Sequence, residues 1–170
     1  SLNGFTSFWT IGDSLSDPGN LYAATGGAQP QSPPYYEGRF SNGPVWAETV
    51  AKRFQDQGLA TGNFAFGGAK ALPDPAAQVP GLSTQLGLLA ANSAGFLGDR
   101  PVVLTVGNVT ERKGQHRVVE ALPPLVAEVP DVVYVVVGRP TDAVALEARA
   151  RVLGVAEHLV VVGQVEPDEV

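Results

Sequence analysis

Three short stretches hold the side chains that could do chemistry. The first is Ile11-Gly12-Asp13-Ser14-Leu15-Ser16-Asp17-Pro18-Gly19-Asn20. It places a hydroxyl directly after an aromatic, β-branched run. A serine there can cap a helix through its oxygen or, with a base beside it, attack a carbonyl. The second is Gly67-Gly68, after Asn63 to Phe66. Two glycines there give a tight turn, or let backbone N–H groups approach a bound molecule closely. The third is Gly107-Asn108 followed by Arg112-Lys113-Gly114, just ahead of a helical pattern. Cations at a helix N-terminus suit an anion, or are ordinary exposed charges. The sequence has two histidines, His116 and His158, and both read as solvated residues near helix ends.

These stretches need rigid elements behind them. Phe5 to Ile11 reads as a strand ending at Gly12. Pro44 to Phe54 has apolar residues at helical spacing, with Pro44 in the first turn. Asn63 to Phe66 reads as a short strand, Leu82 to Ala94 as a helix and Val102 to Val106 as a third strand. Gln115 to Val129 reads as a helix kinked or broken at Pro123-Pro124. Val132 to Val137 is a fourth strand, Thr141 to Leu153 a helix closed by Gly154, and Leu159 to Val162 a fifth strand. Val165 to Val170 reads as the start of another helix, and Asp17 to Pro44 as a long loop.

Strands alternating with helices predict an α/β fold with three layers. A parallel sheet in the flavodoxin-like order 2-1-3-4-5 would carry helices on both faces. Ligands of such sheets sit beyond the carboxyl ends of the strands, where all three stretches fall.

Composition changes abruptly along the chain. Residues 1–100 contain three Val, eight Ser and twelve of the thirteen aromatics. Residues 101–170 contain twenty-one Val, no Ser and one aromatic, Tyr134. The contrast suggests two origins. The net charge of -6 without a basic run argues against a nucleic-acid partner. No apolar stretch approaches the length of a membrane span. The absence of Cys rules out disulfides and thiolate metal sites. No secretory leader is read in the given residues.

The Ser14 stretch is accompanied by Gly38-Arg39-Phe40-Ser41-Asn42-Gly43-Pro44-Val45-Trp46, by Asn63-Phe64-Ala65-Phe66-Gly67-Gly68-Ala69, and by Gln85 in a helix. This ordered set resembles the GDSL/SGNH ester hydrolases, over roughly residues 5–100. The resemblance implies that Ser14 is the nucleophile. Its own N–H and that of Gly68, with Gly67 as the alternative, would receive the oxyanion. The family's third block is Gly-x-Asn-Asp, and Gly107-Asn108-Val109-Thr110 has the Gly and Asn at shorter spacing without the Asp. Asn108 is therefore a candidate third donor. The family's Asp-x-x-His base is missing. Asp168 falls where the Asp belongs, but no His follows it within the chain.

Residues 101–170 resemble the donor-binding domain of retaining GT-B glycosyltransferases of the family 4 type. The likeness rests on Val102 to Gly114, the helix around Val118-Val119-Glu120-Ala121-Leu122, Pro130-Asp131 before Val132 to Arg139, and Leu153-Gly154-Val155 before Leu159 to Gly163. It implies that Lys113, with Arg112 beside it, contacts phosphate. Asn108 occupies the position of a second phosphate-binding Arg, and the family's Glu-x7-Glu segment would fall past Val170.

The expectation is one mosaic α/β domain over residues 1–170, joined near Arg100-Pro101. It would act as a serine ester hydrolase with incomplete machinery, weak or inactive, on a small-molecule ester. The alternatives are a nucleotide-sugar or phosphate-binding remnant and a folded chimera without activity. A serine mechanism needs no cofactor or metal. The hydrolase part suggests export and the transferase part the cytoplasm. Neither part reveals the oligomeric state.

Overall fold

In the computed structural model, residues 2–70 and 79–166 are described. Five parallel strands form one sheet in the order β2-β1-β3-β4-β5. The strands are β1 (Ser7–Thr10), β2 (Ala60–Asn63), β3 (Pro101–Val106), β4 (Val133–Val137) and β5 (Leu159–Val162). The helices are α1 (Asn20–Ala24), α2 (Trp46–Gln55), α3 (Leu82–Ser93), α4 (Gln115–Glu128) and α5 (Ala143–Val152). The α/β class and the 2-1-3-4-5 order are those read from the sequence. Strand β1 pairs with β2 on one side and with β3 on the other, so Phe8 lies opposite both Thr61 and Val102. The strands of the two compositional halves therefore share one sheet.

The period of two along each strand sorts side chains between the faces. On one face Trp9, Ile11, Val103, Tyr134 and Val136 pack with Leu82, Leu86 and Leu89 of α3, Val118, Val119, Leu122 and Leu125 of α4, and Leu146 and Ala150 of α5. The Tyr134 hydroxyl is buried there and donates to Thr105 Oγ1 at 3.0 Å. On the other face Phe8 and Val102 pack with Phe54 of α2, and the Phe8 and Phe54 rings stack with centroids 5.2 Å apart. Helices cover both faces, but unequally. Among the described residues α2 is the only long helix on this second face. Val133, Val135 and Val137 of β4 stay half-buried there, and Val160 of β5 is 43% exposed.

Two elements depart from the sequence reading. The second strand is Ala60–Asn63 instead of 63–66. Its pairing still runs on past Asn63, because Phe64 and Phe66 donate their amides to the Thr10 and Gly12 carbonyls at 2.8 and 3.1 Å. Helix α4 runs unbroken through Pro123 and Pro124. Each proline forfeits an intrahelical hydrogen bond. Buried Val118, Val119, Leu122 and Leu125 hold the helix on the sheet through that defect. Residues 163–166 carry no regular structure. The rest of the helix read from Val165 onward, including Asp168, lies outside the described residues.

Candidate functional site at the carboxyl edge of the sheet

Ser14 sits in the turn that follows β1 and is half-buried. The turn is held from several directions. Gln85, fully buried in α3, faces the Gly12 peptide. Its Oε1 accepts from the Gly12 N–H at 2.8 Å and its Nε2 donates to the Gly12 carbonyl at 2.9 Å. The same Nε2 donates to the Pro80 carbonyl at 2.9 Å. A side-chain amide thus replaces a neighbouring strand where β1 ends, satisfying buried backbone groups that water cannot reach.

Asp17 organises the second half of the loop. Its carboxylate is fully buried. Oδ1 accepts from the amides of Gly19 and Asn20 at 2.8 and 2.6 Å. Oδ2 accepts from Leu21 at 3.2 Å and from Gly67 at 2.7 Å. Four backbone donors are what a buried carboxylate needs in place of water. Asn63 donates to the Ser16 carbonyl at 2.8 Å, and Asn20 donates to the carbonyls of Asn63 and Ala65 at 3.0 and 2.8 Å. Trp46 Nε1 donates to Ser16 Oγ at 3.0 Å. The loop after β1 and the loop after β2 are therefore one hydrogen-bonded body.

That body separates the two glycines. The Gly67 N–H is committed to Asp17, and a Cβ on Gly67 would collide with the Phe40 ring. Gly68 is exposed, has φ +81°, and has open space where a Cβ would stand. Among the described residues neither the Gly68 N–H nor the Ser14 N–H has a hydrogen-bond partner. Gly68 is thus the glycine with a free donor.

Among the described residues, an ion pair ties the transferase-like half to this body. Lys113 Nζ bonds Asp13 Oδ2, and the two side chains are 23% and 10% exposed. The other Asp13 oxygen accepts from the Leu15 amide at 3.1 Å. Arg112 is exposed, with no side-chain partner among the described residues. Asn108 is exposed, and its carbonyl accepts from Gln115 at 3.0 Å. A cavity of about 600 Å³ opens beyond the strand ends, lined by Leu15, Trp46, Asn108, Lys113 and Arg139 among others. Its rim includes Gly107 and Gly138, whose backbones touch so closely that a Cβ on Gly138 would overlap the Gly107 carbonyl.

Neither histidine reaches Ser14 through a contact. His158 precedes β5 at the opposite edge of the sheet, where its Nδ1 lies 2.9 Å from the Val132 carbonyl. His116 lines a separate cavity between α4 and α5. Among the described residues, no group of three His, Asp or Glu side chains could hold a metal ion. Nor is any helix among them long and apolar enough to cross a membrane.

The sequence points to Ser14, Gly68, Asn108, Lys113 and Arg112, and all five fall on the turns and loops at this one edge. Asp17, Asn20, Asn63 and Trp46 lie in the same motifs, but the sequence alone gives them no role. The Asp17-x-Gly19-Asn20 spacing is the signal that could have found the carboxylate-centred turn.

Comparison with known proteins separates the same two parts. The profile of the glycosyl transferases group 1 family matches residues 90–170. The match begins at Ala90 inside α3, upstream of the expected join. A phosphatidylcholine-sterol acyltransferase of Aeromonas hydrophila is 52% identical over 68 residues, covering 40% of this chain and 20% of that protein. A GDP-mannose-dependent alpha-(1-6)-phosphatidylinositol monomannoside mannosyltransferase of Mycolicibacterium smegmatis is 45% identical over 64 residues, 38% of this chain and 17% of that protein. The chain thus spans a fifth or less of the length of these curated relatives. A solved carbohydrate esterase, whose active site displays divergent catalytic and non-catalytic binding functions, aligns over 94% of this chain and 59% of its own, with a TM-score of 0.51 and 14% identity. That last likeness concerns the fold alone.

The chain is therefore an α/β protein of esterase-like fold that resembles two kinds of enzyme in turn. One part is similar to a phosphatidylcholine-sterol acyltransferase, and the other to group 1 glycosyltransferases, mannosyltransferases among them.

Proposed function

We propose that the chain is a mosaic single domain whose carboxyl-edge site is an incomplete SGNH-type serine ester hydrolase. Ser14 Oγ attacks the ester carbonyl. The backbone N–H groups of Ser14 and Gly68 receive the oxyanion, and the Asn108 side chain is the third donor. The observation that carries this reading is the pair of unpartnered amides, on loops that Asp17, Asn63 and Gln85 hold rigid. Donors fixed before the reaction can contribute about 3 kcal/mol each to the transition state.

The serine lacks a histidine base among the described residues. Turnover rests on the oxyanion donors and on water as proton acceptor, so the enzyme is slow. The substrate is a small ester that enters from the cavity beside Leu15 and Asn108.

Hydrolysis of p-nitrophenyl acetate by the wild-type chain and by Ser14→Ala tests this. Slow turnover that disappears in the variant is the expected result. Equal rates in the two proteins would leave the serine without a catalytic role.

The second reading is phosphate binding by Lys113 on the wall of the same cavity, with Arg112 next to it in the chain. The location of Lys113 on the cavity wall favours it. The ion pair with Asp13 opposes it, since an arriving phosphate must compete with a carboxylate already in place. Titration with GDP, followed by tryptophan fluorescence, distinguishes the readings. Saturable binding lost in Lys113→Ala would support the second one.

A further inference from the structure

The cavity beyond the strand ends is more apolar than a site for a short ester requires. Its floor includes Leu104 and Val106 of β3 and Val137 of β4, and Trp46 and Val50 of α2 stand beside them. These strand residues belong to the second face of the sheet. A parallel sheet is ordinarily covered on both faces. Here Trp46 and Val50 pack around the cluster of Phe8, Phe54 and Val102, with Leu104 beside them. Further along that face the sheet is incompletely covered, with Val106, Val135 and Val137 half-buried and Val160 exposed. The cavity is thus a trough with a hydrocarbon floor, and its volume of about 600 Å³ suits a small molecule. An alkyl chain laid in it would take apolar surface of both ligand and sheet out of water.

The charged groups around the trough select the other end of the ligand. Among the described residues that line it, none is Asp or Glu, although the chain holds seventeen acidic residues against eleven basic ones. Lys113 is already engaged by Asp13. Arg139 is exposed, and its side chain has no partner among the described residues. The backbone beneath it is fixed, because the Arg139 carbonyl accepts from the Val109 and Thr141 amides at 2.9 and 3.0 Å. A free guanidinium next to a hydrocarbon floor matches a carboxylate on an alkyl chain, which it grips through two N–H groups. We propose that this trough binds a medium-chain fatty-acid anion. The chain lies on Leu104, Val106 and Val137 against Val50, and the carboxylate meets Arg139. The inference goes beyond the hydrolase reading, since such binding requires no reaction at Ser14.

Titration of the ¹⁵N-labelled chain with hexanoate, octanoate, decanoate and n-octylammonium tests the proposal without turnover. Its failure and the failure of the hydrolase reading are therefore separate results. The three carboxylates should shift the amides of residues 104–108 and 137–139 and the Trp46 indole saturably. Affinity should rise about four-fold for every two methylenes, which is half the gain of full burial. The ammonium has the octyl chain with the opposite charge nearby, and should bind at least about three-fold more weakly than octanoate. Arg139→Gln should weaken octanoate binding about three-fold and remove that preference. Val137→Thr keeps the shape of the floor but adds a hydroxyl, and should weaken octanoate several-fold. Its fold is checked by the unchanged spectrum of α3 and α5. Affinity that ignores chain length, or equal binding of octanoate and n-octylammonium, would overturn the proposal. Octanoate binding untouched by either substitution, or no saturable shift up to about 10 mM, would overturn it equally.

Discussion

Replacing Gln85 by Leu removes the side chain that closes the end of β1 and keeps nearly the same volume. Three hydrogen bonds are lost, at 2.8, 2.9 and 2.9 Å. At a net value of about 1 kcal/mol each, their loss costs about 3 kcal/mol. The buried Gly12 N–H is also left without a partner, which adds about 1–3 kcal/mol. Leucine returns about 1–2 kcal/mol by burying apolar surface in place of the amide. The balance is a destabilisation of about 2–5 kcal/mol. With an m-value of about 2 kcal/mol per molar urea for a chain of this size, the unfolding midpoint should fall by about 1–2.5 M. Gln85→Glu should be at least as damaging, because a carboxylate then faces the Gly12 and Pro80 carbonyls. Equilibrium urea unfolding followed by tryptophan fluorescence measures both. A midpoint change below about 0.3 M for Gln85→Leu would refute the claim that this amide carries the nucleophile turn.

Other outcomes follow from the same contacts. Lys113→Met strands the Asp13 carboxylate, which is only 10% exposed, and should cost about 2–4 kcal/mol in urea unfolding. Adding Asp13→Leu to that variant should recover part of the loss, as a double-mutant cycle would show. Gly138→Ala should destabilise by more than about 2 kcal/mol by thermal melting, since its φ of +151° and the Gly107 carbonyl both exclude a Cβ. Burial alone would raise the Glu48 pKa, but the Arg39 hydrogen bond, the Val45 N–H and the Arg39 charge together hold it below the ordinary glutamate value. Its contribution is therefore complete above that ordinary value, about 4.3, and is lost as pH falls through the lower folded value. Arg39→Ala should flatten that acid loss in melts taken between pH 5 and pH 2, taken as about the useful range.

The fold was legible wherever apolar residues ran without interruption. Val102 to Val106, Val132 to Val137 and Leu159 to Val162 are short, mostly β-branched runs that read as strands, although the last is only half-buried at the sheet edge. Strand β2 was placed late because Ala60-Thr61-Gly62-Asn63 carries no apolar signature. It is an edge strand, half-buried throughout, held by its pairing with β1 rather than by its own side chains. The prolines of α4 misled in the other direction. Local backbone preference argued for a break, and the packing of Leu122 and Leu125 outweighed it. At the site, motif order picked out Ser14 and Gly68, but only the Asp17 bond to Gly67 told the two glycines apart. The Lys113–Asp13 pair joins residues 100 positions apart, and no local pattern announces such a contact. The partner of Gln85 was hidden for a different reason: a side chain bonding backbone leaves no mark on the residue it bonds.

The position of β1 between β2 and β3 bears on how the chain is made. Of the five described strands, the first to leave a ribosome is an inner strand of the sheet. Its register with β3, from Pro101 to Leu104, cannot form until residue 104 has emerged. During that interval the side of β1 that will meet β3 is an open ladder of peptide groups, with Phe8 and Trp9 beside it. Pairings this distant in sequence form slowly, because loop closure precedes any gain from contact. The newborn amino-terminal half is thus exposed to wrong partners for the time taken to synthesise α3 and β3. Slowing translation before residue 101 should increase aggregation, and slowing it after residue 106 should have little effect.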